Sequence, residues 1–132
     1  MFGPDPFMRE ALSILSGAAT WHEFRSSLVE RGLDKRLDPD AMMLLITAWN
    51  MGQAQKLTDA ALIEELDFWA SGGSFKTHLN GWQAISPAAL VEEAGRRGWF
   101  TKRMASSAVV NPPDHSPIVI RSLDTIAAPP PT

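Results

Sequence analysis

From Pro6 to Met104 the apolar positions recur with the three-to-four-residue spacing of amphipathic helices, punctuated by capping residues and glycines. Asp5 stands as an N-cap before Pro6, Phe7, Met8, Ala11, Leu12 and Leu15 form one stripe, and Gly17 closes the segment. Thr20-Trp21-His22-Glu23 is a capping box opening a second helix, with Trp21, Phe24 and Leu28 on its inner face and Gly32 at its end. A third begins at Asp38-Pro39-Asp40, is apolar almost all the way round from Ala41 to Trp49, and is predicted to stop at Gly52. A helix of that kind belongs at the centre of a bundle. A fourth, from Thr58-Asp59 to Gly72-Gly73, turns Leu62, Ile63, Leu66 and Trp69 inward. The fifth runs from Ser86-Pro87 to Gly98, with Leu90, Val91 and Ala94 on one face and the i,i+4 pairs Glu92/Arg96 and Glu93/Arg97 on another. Between these two, the stretch from Ser74 to Trp82 has room for a short sixth helix capped by Ser74.

Proline placement changes the picture at the C-terminal end. Pro112, Pro113, Pro117, Pro129, Pro130 and Pro131 follow Met104, and none lies between Pro39 and Pro87. The clusters Val109-Val110 and Ile118-Val119-Ile120 in that segment are too small to make a core alone. The pattern therefore predicts an all-α fold: a compact bundle of five to six helices over residues 5–104, wrapped around the helix from Ala41 to Trp49, followed by an extended Pro-rich C-terminal arm over residues 105–132. Such an arm suits strand addition to another chain's sheet, with a disordered tail or a short hairpin against the body as the plainer alternatives. On this reading, deletion after Met104 leaves folding intact and alters only assembly or partner capture.

Composition adds limits. The chain has 132 residues, 45% of them hydrophobic, which is enough for one domain with a real core. Twelve Lys plus Arg against 15 Asp plus Glu give a net charge of −3, so any nucleic-acid contact needs a local patch. The absence of cysteine excludes disulfides, thiolate metal sites and a cysteine nucleophile. Residues 1–6 lack the basic and apolar regions of a signal peptide, and the Ala41 to Trp49 stretch is too short to span a bilayer. The expectation is a cytoplasmic protein without a membrane partner.

Candidate chemistries fail on spacing. Gly72-Gly73-Ser74-Phe75-Lys76-Thr77 has Phe75 where a phosphate loop needs glycine before the lysine, and no strand is predicted ahead of it. His78-Leu79-Asn80-Gly81 lacks the lysine of a histidine phosphotransfer motif and is one residue short. His22 has no second histidine four residues on, and Asp34, Asp38 and Asp40 have no calcium-loop register. The adjacent pairs Glu64/Glu65 and Glu92/Glu93 point about 100° apart on a helix, so neither converges on a substrate. No catalytic, metal or cofactor-binding residue is assigned, and the chain reads as a non-enzyme.

What remains is partner chemistry. Trp21, Trp49 and Trp69 lie on apolar stripes and read as core, whereas Trp82 and the Trp99-Phe100 pair flank glycines outside the stripes. The leading function is a non-enzymatic interaction or accessory protein, binding a protein partner or itself through Trp82, Trp99, Phe100 and the arm residues Ile118, Val119 and Ile120. The alternative is a small DNA-binding regulator using Arg96, Arg97, Lys102 and Arg103. Against it, Glu92 and Glu93 stand ready to neutralise the two helical arginines, and helix-turn-helix spacing fails around Gly72. An enzyme of unknown reaction comes third.

Overall fold

The computed structural model describes residues 6–81 and 84–124. Among these are five α-helices, α1 (Pro6–Gly17), α2 (Trp21–Glu30), α3 (Pro39–Gln55), α4 (Asp59–Ala70) and α5 (Pro87–Arg96), with a 3-10 turn at Leu33–Lys35. Three strands follow, β1 (Phe100–Arg103), β2 (Ala108–Asn111) and β3 (Ile118–Ile120), forming an antiparallel sheet in the order β1-β2-β3. The all-α expectation is thus corrected to a mixed helix-and-sheet fold. The chain forms two compact units, Met1–Trp49 and Asn50–Thr132, in place of a helical body with an arm.

In the first unit the local signals act as the sequence implies. Thr20 Oγ1 accepts the Glu23 amide at 3.0 Å, and the Glu23 carboxylate accepts the Ala19 amide at 3.2 Å, so the capping box closes one residue further back than the usual reciprocal pair. Gly32 takes a left-handed φ of 68° that a side chain rarely adopts, which lets the chain leave α2 and enter the 3-10 turn. Asp38 Oδ1 accepts the Ala41 amide at 2.8 Å and starts α3. Trp21 packs edge-on against Trp49, with centroids 5.9 Å apart, and lies tilted against Phe24 at 5.1 Å. Ala11, Leu15, Leu28, Leu33, Leu37 and Leu45 are buried with Trp21 and Phe24. Asp5, the proposed cap of α1, lies outside the described residues.

Two expectations about α3 need correction. Gly52 does not end it; the helix continues to Gln55, since one internal glycine costs only ~1 kcal/mol and the buried Ala54 anchors the last turn. Nor is it the most buried element, because Met43 and Leu44 are 42% and 63% exposed while Leu45 is fully buried. The stretch from Ser74 likewise makes turns rather than a sixth helix, with the Thr77 and His78 amides both closing on the Ser74 carbonyl.

The second unit holds its core between α4 and α5 on one side and the sheet on the other. Leu62, Leu66 and Trp69 from α4, and Leu90, Val91 and Ala94 from α5, meet Ala108, Val110, Ile118 and Ile120. Strands β2 and β3 belong to the segment expected to be an arm, β1 lies in the segment expected to be the helical body, and the boundary at Met104 falls within the β1–β2 hairpin. The physical reason is period-two alternation: Ala108 and Val110 face the helices, as do Ile118 and Ile120 two residues apart on β3. Each cluster is small, yet both complete the apolar surface that α4 and α5 need, so the entropy of ordering them is offset.

Leu45→Ala is expected to lower stability by about 2–5 kcal/mol, measured from the urea midpoint, because the side chain is fully enclosed. Truncation after Met104, contrary to the sequence expectation, removes one face of the core. Its outcome should be loss of the cooperative thermal transition of the second unit; a truncated chain that melts within a few degrees of the full one would contradict this fold.

Candidate interaction face

The site begins at the end of α5. The Trp99 amide donates to Ala94 O at 3.0 Å and the Gly98 amide to Gly95 O at 2.9 Å, a helix-ending motif that requires the left-handed φ of 87° at Gly98. The chain then enters β1 with its alternation fixed: Trp99 is buried in the core and Phe100 turns outward. Thr101 points back to α5, where a Cβ on Gly95 would lie 3.5 Å from its Oγ1. Arg103 shares that parity and reaches Glu92 of α5 at 3.7 Å.

Strand register places the outward residues in rows. Lys102 lies opposite Val109, Val109 opposite Val119, and Phe100 opposite Asn111. Residues paired across strands share a face, so Phe100, Lys102, Val109, Asn111 and Val119 form the side turned away from α4 and α5. Met104, whose amide donates to Ser107 O at 2.9 Å, extends β1 with the same parity, and Arg121 extends β3. Phe100 is 61% and Val119 41% exposed, and Met104 is exposed beside them. The six expected partner residues therefore separate. Phe100 and Val119 come together on the open face; Trp99, Ile118 and Ile120 are buried beneath it; Trp82 lies outside the described residues. Val109, Met104 and Arg121 were missed, and the signal that could have found them is the alternation within each strand.

The basic residues also separate. Glu93, with no exposed side-chain area, accepts from Arg96 Nε and Nη2 at 2.7 and 2.6 Å and from Arg97 Nε at 2.7 Å. Arg97 continues inward, donating to Asp59 Oδ1 at 2.7 Å and to the carbonyls of Ala54 and Leu57, so it caps the end of α3 and joins it to α4 and α5. Both arginines thus pair with Glu93, not with Glu92 and Glu93 in turn as the i,i+4 reading implied. The Arg96 hydrogen bonds foremost, opposed by burial and aided by Arg97, hold the Glu93 carboxyl below its usual range. The same bonds to Glu93 raise the pKa of both guanidinium groups. Of the four basic residues considered for nucleic acid, Arg97 is committed inside the fold, Arg96 and Arg103 face acids, and Lys102 forms no ion pair among the described residues.

The histidines do not assemble a reactive centre. His78 Nδ1 accepts the Asn80 amide at 3.0 Å, which leaves the ring proton on Nε2, donated to Glu65 Oε2 at 2.9 Å. With both ring nitrogens occupied and the ring edge-on to Phe68, His78 pins its loop to α4. His115 Nδ1 donates to Ser116 O at 2.7 Å, in the β2–β3 loop. Among the described residues, no group of three or more His, Asp or Glu side chains could hold a metal ion, and no helix is long and apolar enough to cross a membrane.

No family model, curated protein or solved structure matches this chain, so function must be read from the residues themselves.

Glu93→Gln is expected to destabilise the second unit by about 2 kcal/mol or more, since two guanidinium groups lose their charged acceptor. Because the folded carboxyl is held below its ordinary value of 4.5, its contribution is present above that value and fades as pH falls through the lower folded one. Thermal melts across acid pH should show wild type converging on Glu93→Gln at low pH, and a constant gap between them would contradict the role given to this carboxylate.

Proposed function

We propose that this chain is a non-enzymatic interaction protein that binds a partner protein through the outer face of its sheet. One observation carries the reading. The outward face of a one-sided antiparallel sheet is ordinarily polar, and here Phe100, Val119 and Met104 are exposed on it, with Val109 half-buried in the same face. Trp99 beneath it is core, which gives the exposed residues a rigid base and lowers the ordering entropy of docking. An aromatic anchor surrounded by smaller apolar contacts is the usual composition of an energetically dominant interface centre.

The test places a photo-crosslinking amino acid at position 100 of the full chain in cells of its source. A discrete adduct with one identified protein is expected, weakened by Val119→Asp and absent when the crosslinker replaces Lys76, which is exposed in the loop after α4. Adducts that form equally at both positions, or at neither, would contradict the proposal.

A further inference from the structure

The charges on the same face bear on the partner's chemistry, in a way that rests on the proposed function and narrows it. The strand residues of β1, β2 and β3 include no carboxylate, although the whole chain carries −3. Lys102 and Arg121 are both exposed and form no ion pair among the described residues. They occupy opposite edges of the face, one on β1 and the other just beyond β3, with Val109 and Val119 between them. From strand spacing and rise, their backbone positions are roughly 12 Å apart.

We infer that the face takes an acidic amphipathic helix of a partner protein. Two carboxylates two turns apart on a helix are separated by about 11–12 Å, and the residues one turn in between lie on the same side. Such a helix can meet Lys102 and Arg121 with its acids and Val109 and Val119 with apolar side chains, while Phe100 and Met104 contact its flanks. It would pack on the sheet as α4 and α5 pack on the other side, completing a three-layer arrangement. Two unpaired cations are too few for a nucleic-acid backbone, where strong binders neutralise about 6–10 phosphates. They also fall short of the basic clusters of about 4–8 residues that hold a protein to an anionic membrane.

The probes are two labelled amphipathic peptides of about 18 residues, long enough for five turns, with one leucine stripe in common and flanking positions either all Glu or all Lys. Anisotropy with the full chain should show the Glu peptide binding at least ~10-fold tighter than the Lys peptide, with affinity falling as salt rises from about 50 to 300 mM. Amide shifts in the NMR spectrum should map to β1–β3, and the double variant Lys102→Glu, Arg121→Glu should reverse the preference. Equal binding of both peptides, or of neither, overturns the inference, as does tighter binding of a single-stranded oligonucleotide or a phosphatidylserine vesicle. If these results occur while the adduct at position 100 persists, the partner-binding face stands and only its charge preference fails; loss of the adduct removes both.

Discussion

The left-handed turn at Gly98 sets the parity on which the second unit depends. By ending α5 there and closing Trp99 onto Ala94, it commits Trp99 to the core and sends Phe100 outward. Every later assignment follows from pairing. Thr101 lies opposite Val110 and Val110 opposite Ile118 on the inner side, while Lys102, Val109 and Val119 align on the outer. A slip of one residue would bury a lysine and expose two isoleucines, so the buried row and the open row fix each other. Structure and proposed function are in this sense two faces of one register.

The Glu93 cluster complements that turn from the last turn of the same helix. A fully buried carboxylate is costly alone, and it is tolerated here because Arg96 and Arg97 both donate to it. Arg97 also donates to the Ala54 carbonyl in the last turn of α3, to the Leu57 carbonyl in the loop that follows and to Asp59 at the start of α4. One guanidinium therefore ties together three helices, and a residue that reads as surface charge in the sequence is an internal strut. The same commitment withdraws Arg97 from any external polyanion, whereas Lys102 and Arg121 stay exposed on the outer sheet face.

Helix starts were legible because their chemistry is local. Thr20 with Glu23, Asp38 and Thr58 each satisfy amides within four residues, and Gly72 and Gly98 mark real ends. Gly52 carried the same letter without the same role, since α3 continues through it to Gln55, with Ala54 buried and its carbonyl accepting from Arg97 far along the chain. Strands of three or four residues give too short an alternation to stand out, and the prolines between β2 and β3 read as a tail when they belong to a turn in which Asp114 takes a positive φ. Phe100 and Val119 were recognisable as candidates by type. That Trp99, Ile118 and Ile120 belong to the interior depends on which side α4 and α5 cover, and no local pattern contains that information.

The chain's lack of cysteine allows a direct test of this register. Single cysteines at positions 118, 119 and 120 can be labelled with a thiol reagent under native conditions. The alternation predicts that Val119→Cys reacts at nearly the rate of an unfolded peptide, while Ile118→Cys and Ile120→Cys, whose parent side chains are buried, react only as fast as the second unit opens. Equal, rapid labelling at all three positions would mean an extended arm instead of a strand, and would contradict the sheet and the face built on it.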